Sequence, residues 1–361
     1  MLPRLEPRGQ ASQAMVYLTP FIALFLTVIA GMVMFALLGH PPVKAITTFF
    51  LSPLNSGYGI AELFVKATPL IMIAVGLAIG FRANVWNIGA EGQLTLGAIA
   101  GSFLPVYFSD SENALMLPAM MLMGIAGGMA WAAIPALLKT RFNANEILTS
   151  LMLTYVATLF LSVLVHGPWR DPGGFNFPES VLFADVATLP ILLSGTRLHL
   201  GALIALFVVL IGWILLARHL IGFQIKVAGF APAAAEYAGF KRNRVVWLVL
   251  LGAGGLAGLA GIIEVSGPIG QLLPSISPGY GFTAIIVAFL GRLHPVGILF
   301  AGLVLALSYL GGETVQIEMG LPQGIAGVFQ GMLLFFLLAT DVLIKYRIRF
   351  GQPRVVTAPG T

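Results

Sequence analysis

Ten apolar runs, most of them long enough to cross a bilayer, constrain this chain more than any other feature of its sequence. An apolar α-helix needs about 20 residues to span the hydrocarbon core. With 58% hydrophobic residues, 9% charged residues and a mean hydropathy of +0.96, the chain leaves little for a soluble domain. We therefore predict an all-α polytopic integral membrane protein of about 10 transmembrane helices in a single transmembrane domain, residues 1–361. The predicted spans are residues 17–38, 61–81, 89–108, 114–138, 147–166, 198–217, 245–265, 280–292, 296–311 and 323–344.

The basic residues are divided unequally between the two faces that these spans imply. If the chain begins in the cytoplasm, fifteen of its 19 Lys and Arg residues fall on the cytoplasmic side, as the positive-inside rule requires. Both termini are then cytoplasmic, because an odd number of spans would put the basic C-terminal tail outside. The predicted cytoplasmic segments are residues 1–16, the loop 218–244 and the tail 345–361.

The stretch Phe81–Gln93 places several polar side chains and glycines between two apolar spans. Such groups are costly in lipid unless they face protein, water or a cavity, and non-helical backbone persists at membrane depth only where it is covered. One interpretation is a broken helix that lines a passage, with Glu91 near the N-terminus of the next helix, where its charge suits the helix dipole. The other is a turn at the membrane surface in which Glu91 has a capping role. The residue types alone do not separate the two.

A second interruption lies in the other half of the chain, where Pro274, Pro278, Gly279 and Gly281 surround the start of the short apolar run 280–292. This run is short for a full crossing, so we expect a tilted, broken or re-entrant segment. A broken helix in each half is typical of transporters that are built from two internal repeats. The sequence therefore raises a two-fold internal repeat as a hypothesis.

The loop 218–244 contains one predicted short helix, from Pro232 to Gly239. Proline suits the first helical turn, the alanines that follow favour a helix, and Gly239 can take the left-handed conformation that ends it. A helix of this length is marginal in water on its own. It therefore needs a surface to pack against, either the membrane or a groove on a cytoplasmic partner.

Several kinds of chemistry are missing from the sequence. There are no cysteines, and no two of the five histidines are spaced four residues apart as a zinc site on a helix would need. No G-x-x-x-x-G-K-[ST] loop, H-E-x-x-H motif or G-x-S-x-G elbow occurs. We therefore predict no enzyme activity, no catalytic residue, no metal site and no cofactor, which leaves transport as the class of function.

Four stretches resemble one known family, in the order in which the family has them. Residues 87–93 read Asn-Ile-Gly-Ala-Glu-Gly-Gln and look like the N-I-G-x-E-G-Q signature of permease subunits of nucleoside-type ABC importers. These permeases belong to the wider ribose and branched-chain amino acid permease superfamily. Residues 145–153 resemble the next segment of the family, residues 231–239 its coupling helix, and residues 284–302 its fourth segment.

The resemblance implies a translocation pathway for nucleosides or related small polar solutes in the inner membrane of a bacterial cell. It also implies a cytoplasmic ATP-binding subunit that uses the ATP, a second permease subunit in a heterodimer or homodimer, and an extracytoplasmic substrate-binding protein, but no nucleic acid. The implied substrate-pathway residues are Asn84, Asn87, Glu91, Gln93, Asn145 and Thr149. The implied coupling residues are Ala231, Pro232, Ala234, Ala235, Glu236, Tyr237 and Gly239.

Alternatives exist for the function and for single residues. A permease of the same ABC class could carry a simple sugar, whereas a secondary transporter driven by an ion gradient would use Glu91 and Glu264 as titratable groups within the spans. A structural subunit of a membrane complex would carry no solute at all. Among the residues, Glu91 could form an ion pair with Arg82, and Glu146 could be an acid that begins a helix.

Overall fold

A computed structural model describes residues 3–8, 10 and 12–350 of the chain. Parts of the predicted cytoplasmic segments 1–16 and 345–361 therefore lie outside the described residues. The chain divides into two compact units. Unit 1 consists of the residues up to Phe49 together with those from Gly312 onward, and unit 2 is Phe50–Gly311.

Thirteen α-helices and a two-stranded sheet form most of the regular structure of the described residues. They are β1 (Pro3–Pro7), α1 (Gln13–Leu37), α2 (Pro42–Phe50), α3 (Gly57–Arg82), α4 (Ala90–Tyr107), α5 (Met116–Phe142), α6 (Glu146–His166), α7 (Gly201–Arg218), α8 (Leu220–Phe230), α9 (Pro232–Tyr237), α10 (Arg242–Glu264), α11 (Tyr280–Leu290), α12 (Pro295–Met319), α13 (Ile325–Lys345) and β2 (Tyr346–Phe350). In this part of the chain, eight helices are long and apolar enough to cross a membrane: α1, α3, α5, α6, α7, α10, α12 and α13. The two other predicted spans correspond to α4 and α11. The predicted all-α polytopic architecture with broken segments is thus confirmed.

Two helices lie where the sequence indicates only loop. Helix α2 follows the first span, and α8 fills the part of the loop 218–244 that precedes α9. Both are too short for a clear helical period to be read from sequence. Each buries a few residues, among them Phe49 in α2 and Ile225 in α8, and this packing stabilises a helix that would be marginal alone.

Unit 1 brings the two ends of the chain together. Phe329 of α13 contacts Phe49, with ring centroids 4.3 Å apart, and Phe35 of α1, with centroids 5.7 Å apart. Because Gly31 has no side chain, the ring of Phe329 can pack directly against the backbone of α1. Strands β1 and β2 pair antiparallel, with Pro3 opposite Phe350, so residues near the two ends of the chain share one small sheet.

Helix α10 is the centre of unit 2, where it packs against α3, α4 and α5. A methyl group added at Gly97 would overlap the backbone of Gly258, and one added at Gly128 would overlap that of Gly254. Helix backbones in membranes often approach each other through such small residues. Most residues of the apolar stretches of α3 and α10 are buried as a result, whereas most of those of α5, α6 and α7 are half-buried or exposed.

The long loop between α6 and α7, residues 167–200, is fastened to the beginning of α3. Arg197 donates two hydrogen bonds to Glu62, from Nε to Oε1 at 2.8 Å and from Nη2 to Oε2 at 2.6 Å. His199 is buried, its Nδ1 accepts the N–H of Gly201 at 3.1 Å, and burial lowers its pKa to about 4. We call this the long-loop end of unit 2. Since α3 spans the unit, Arg82 lies at the other end, which we call the α9 end.

Candidate functional site

The interruption expected between residues 81 and 93 is present as the non-helical segment 83–89, the first break, which joins α3 to α4. Asn84 has a left-handed backbone conformation, with a φ of 55°, and turns the chain away from the end of α3. Its side chain is exposed, and its Oδ1 accepts the indole N–H of Trp86 at 3.1 Å. The chain therefore leaves helix geometry directly after α3 and regains it at α4.

The first break runs along the first turn of α6. Glu146, the first residue of α6, forms an ion pair with Lys139 at 2.6 Å, and its Oε1 is 3.5 Å from the backbone nitrogen of Trp86. The N–H of Ile88 donates to Ser150 Oγ at 3.2 Å. Side chains of α6 thus provide acceptors for backbone N–H groups that would bond within the helix if the helix were unbroken. Glu146 stands at a helix start, and its carboxylate is already paired.

Asn87 and Gln93 bond to each other across the start of α4. Asn87 Nδ2 donates to Gln93 Oε1 at 2.8 Å, and Gln93 Nε2 donates to Asn87 Oδ1 at 3.2 Å. The same Asn87 oxygen accepts the N–H of Gly89 at 3.1 Å. Both amides are almost fully buried, so this reciprocal pair fixes the geometry of the break from within unit 2.

A second break, residues 270–279, separates a π-helical turn at Val265–Ile269 from α11. Gly270 opens it in a left-handed conformation, with a φ of 83°. The break is bonded to the long loop: Ser180 N–H donates to the Leu272 carbonyl at 3.0 Å, and Leu272 N–H donates to Ser180 Oγ at 2.9 Å. The long loop therefore covers the part of the second break around Leu272, whereas Pro274, Ser275 and Pro278 are exposed.

The two breaks end at one junction, where the N-termini of α4 and α11 meet. Glu91 Oε2 accepts the N–H of Gly281 at 2.6 Å, and a methyl group added at Gly281 would overlap the backbone of Glu91. Ser277 Oγ accepts the N–H groups of Gly279 and Tyr280 at 3.0 and 2.8 Å. Ser277 and Glu91 together therefore cap α11, and a carboxylate at this end suits its dipole.

The geometry separates the two interpretations of Glu91. Its carboxylate does cap a helix, but the helix is α11, 190 residues further along the chain, and the cap is buried rather than at a surface. The alternative ion pair with Arg82 is not present among the described residues. Instead, Arg82 Nε donates to the carbonyl of Leu293 at 2.9 Å, in the turn that follows α11.

The other predicted pathway residues are more open. Asn145 is exposed and caps α6, its Oδ1 accepting the N–H of Ile147 at 2.9 Å. Thr149 is half-buried and donates its hydroxyl hydrogen to the Asn145 carbonyl at 3.0 Å. With Asn84, these residues leave amide and hydroxyl groups accessible on the surface of unit 2, beside the first turn of α6. Asn87, Glu91 and Gln93 lie inside the unit and bond to protein.

The predicted short helix in the loop 218–244 is present as α9, at the α9 end. Pro232 occupies its first turn, Gly239 has a φ of 80°, and the N–H of Phe240 donates to the Ala235 carbonyl at 2.9 Å. Ala235 is buried and anchors the helix, whereas the Tyr237 side chain is 97% exposed. The other predicted coupling residues are exposed as well: Ala231, Pro232, Ala234, Glu236 and Gly239.

Helix α8, which precedes α9, packs on the first break. Ile225 belongs to a buried cluster that includes Ala83 and Val85. At the C-terminal end of α8, a methyl group added at Gly229 would overlap the carbonyl oxygen of Arg82. The α8–α9 segment therefore touches the chain where α3 ends and the first break begins.

Three residues that shape the site were not among the predicted site residues: Ser277, Gly281 and Gly229. Ser277 has a local signal, because serine shortly before a run of apolar residues is typical of a helix start. The two glycines have no local sequence signal. Each is required because a backbone segment from a distant part of the sequence packs where a side chain would lie.

The sequence matches known proteins along most of its length. Residues 59–338 match the family described as branched-chain amino acid transport system / permease component. The chain is 36% identical over 355 residues to the glucose ABC transporter permease protein TsgB13 of Haloferax volcanii, which covers 96% of this chain and 93% of that protein.

Two further relatives are named for nucleosides. The chain is 28% identical to the nucleoside ABC transporter permease protein NupB of Lactococcus lactis, over 93% of each protein. It is also 28% identical to the guanosine ABC transporter permease protein NupP of Bacillus subtilis, over 92% of this chain and 94% of that one. A second ABC permease from each of the three organisms also matches, at 27%, 23% and 26% identity respectively.

In the part of the chain that the structure describes, this match is accompanied by eight long apolar helices, two breaks that meet inside unit 2 and an exposed short helix at the α9 end. Permeases of this kind work with a separate ATP-binding subunit and a substrate-binding protein, and they are transporters rather than catalysts. The chain belongs to the branched-chain amino acid transport system permease family, and it is a multi-pass membrane permease subunit of an ABC importer.

Proposed function

We propose that this chain, together with a second and different permease subunit, forms the translocation pathway for a neutral solute that contains a sugar ring. Our first candidate is a nucleoside and our second is a simple sugar. A cytoplasmic ATP-binding subunit drives the transport by pressing on α9, and both termini lie in the cytoplasm. The observation that carries this proposal is α9 itself, an exposed helix anchored to unit 2 by one buried alanine.

The surroundings of α9 support a protein partner on the cytoplasmic side. Glu236 and Tyr237 project from α9, and the basic residues Lys241, Arg242 and Arg244 follow it and are exposed. Their charge agrees with the positive-inside rule. A six-residue helix with so little of its own surface buried needs a groove in a partner to be fixed in position.

The solute is proposed from the exposed polar groups beside the first break. Asn84, Asn145 and Thr149 offer amide and hydroxyl groups that can exchange hydrogen bonds with the hydroxyls of a sugar ring. None of the three carries a charge, which suits a neutral solute. We assign Asn87, Glu91 and Gln93 to holding the break in shape, because their polar atoms already bond to protein.

The relatives support both candidate solutes and a heterodimer. The resemblance of residues 87–93 and the relatives named for nucleosides and guanosine favour a nucleoside. The relative with 36% identity is named for glucose and favours a simple sugar. Three organisms each supply two different matching permeases, which is the pattern expected when the pathway is built from two non-identical subunits.

The test is ATP-driven uptake in vesicles that contain the complete transporter. Glu236→Pro should reduce uptake at least about tenfold, because proline inside a helix costs about 3 kcal/mol. Membrane insertion should be unchanged, and Glu236→Ala, which keeps the helix, serves as the matched control. Wild-type rates in the proline variant would overturn the role of α9. Uptake that follows an ion gradient with ATP absent would overturn the importer mechanism.

The solute is decided by competition in the same vesicles. Labelled nucleoside uptake should be inhibited by other nucleosides and not by an excess of glucose. The reverse pattern, with labelled glucose taken up and nucleosides inert, would replace the first candidate by the second.

A further inference from the structure

Three close contacts connect α9 to α11 through the first break. The first is at Gly229, near the end of α8 and two residues before Ala231, which links α8 to α9. Because a side chain there would overlap the Arg82 carbonyl, the backbone of α8 rests directly on the end of α3. A displacement of α9 toward the rest of unit 2 must therefore move Arg82 and Ala83 or compress this contact, and close-packed protein interiors resist compression.

The second contact leads from Arg82 to the far end of α11. Arg82 Nε donates to the carbonyl of Leu293 at 2.9 Å, in the turn after α11. Phe81 and Trp86, on either side of Arg82, both stack on Phe289 of α11, with ring centroids 5.2 and 5.9 Å apart. If the first break moves, the C-terminal part of α11 should therefore move with it.

The third contact is the junction between Glu91 and Gly281. A hydrogen bond of 2.6 Å joins the N-terminus of α11 to the first turn of α4, and the glycine lets the two backbones touch. Ser277 Oγ accepts the N–H groups of Gly279 and Tyr280 at the same helix start. Hence α11 is held at both ends by residues that flank the first break.

We propose that these contacts form a relay in which Gly229 passes the displacement of α9 to the first break and Glu91 passes it on to α11. The relay rests on the proposed function, because it assumes that the ATP-binding subunit acts on α9. Glu91 is then a positioning residue rather than a contact for the solute. Its carboxylate makes α4 and α11 a single moving part, which opens and closes the pathway beside Asn84 and Asn145.

The experiment measures solute molecules transported per ATP hydrolysed by the complete transporter in vesicles. Glu91→Ala and Gly229→Ala should each lower this ratio about tenfold, the fold-change that corresponds to one buried hydrogen bond or one forced contact. ATP hydrolysis and the recovery of the ATP-binding subunit should persist in both variants. Glu91→Gln retains an acceptor for the Gly281 N–H and should restore part of the ratio. Glu112→Ala, in an exposed loop, and Gly252→Ala, in open space on α10, are the matched controls.

The double variant distinguishes a relay from two separate defects. If the contacts act in series, Glu91→Ala combined with Gly229→Ala should be no worse than the more severe single variant. Losses that multiply would overturn the relay. An increase in the half-saturating solute concentration at an unchanged maximal rate in Glu91→Ala would also overturn it, because Glu91 would then contact the solute. Wild-type vesicles without ATP-driven uptake would instead overturn the proposed function.

If Gly229→Ala transports too little solute for the ratio of solute to ATP to be measured, a labelling measurement still tests the relay. The chain has no cysteine, so Ser275→Cys, at an exposed position in the second break, provides a single reactive thiol. In the otherwise unchanged transporter, the rate of thiol modification should change when ATP binds. The same change should be absent when Glu91→Ala is added and should be partly retained with Glu91→Gln. A change that is fully retained in Glu91→Ala would overturn the relay.

Discussion

The first break and the second break lead to the same junction but are held by different means. In the first break, buried side chains fix the backbone: Asn87 pairs with Gln93, and Ser150 of α6 accepts a main-chain N–H. In the second break, left-handed glycines at Gly270 and Gly279 bend the chain, and the long loop supplies much of the hydrogen bonding.

This difference indicates which break moves as a rigid body. Leaving a buried polar group of the first break unpaired would cost about 1–3 kcal/mol, so its parts should stay together when it is displaced. The glycines of the second break can change φ at little steric cost. We therefore expect the first break to carry motion and the second to bend in response.

The largest expected effect is that of Gly89→Val in the first break. A methyl group added at Gly89 would lie 2.5 Å from the carbonyl oxygen of Ser150, so the valine must push the break away from α6. We expect a loss of about 3 kcal/mol in unfolding free energy, the upper range for overpacking a buried site. Thermal unfolding of the purified transporter in detergent measures it, with Gly252→Val, in open space, as control. Equal unfolding temperatures for the two variants would show that the first break is not held against α6.

A second prediction concerns pH and the second break. His199 packs against Gly267, in the π-helical turn before this break, and burial lowers its pKa to about 4. The unfolded chain binds the proton with a pKa of about 6.5, so stability is complete above that pH and is lost as the pH falls toward 4. Between pH 7 and pH 5 we expect a loss of about 2 kcal/mol.

The matched variant for this measurement is His199→Asn. Asparagine keeps an acceptor for the Gly201 N–H that Nδ1 now accepts, but it does not titrate. The difference in stability between wild type and variant, followed by thermal unfolding from pH 7 to pH 5, isolates the contribution of His199. Parallel curves for the two proteins would contradict the assignment.

The smallest expected effect is that of Gly270→Ala in the second break. No atom lies within 4 Å of the added methyl group, so the cost comes only from the φ of 83°. A left-handed conformation costs a residue with a β-carbon about 1 kcal/mol, and Gly270→Asn should recover part of this. If Gly270→Ala proved as damaging as Gly89→Val in the same unfolding measurement, the contrast between the two breaks would fail.

The sequence predicted the spans because their apolar runs have the length that a bilayer demands, and it predicted α9 because Pro232 and Gly239 mark the ends of a helix. It did not predict α8, whose packing on Ala83 and Val85 depends on residues far away in the chain. The sheet that pairs β1 with β2 was missed for the same reason.

At the junction, the polar residues of the stretch 81–93 predicted which segment is unusual, but they did not predict its hydrogen bonds. The sequence marked Asn87, Glu91 and Gln93 as unusual for a membrane, and all three are buried and bonded to protein. Glu91 bonds to Gly281 rather than to Arg82 or to solvent. This bond could not be predicted, because it forms only when the second half of the chain folds onto the first.

The composition of unit 1 has a consequence for the order of biogenesis. Helix α1 leaves the ribosome before unit 2, whereas its packing partner α13 and the strand that pairs with β1 are made after unit 2. Domains generally fold as units during synthesis, from the N-terminus onward. Unit 2, a continuous segment, can therefore assemble before α13 enters the membrane and packs on α1.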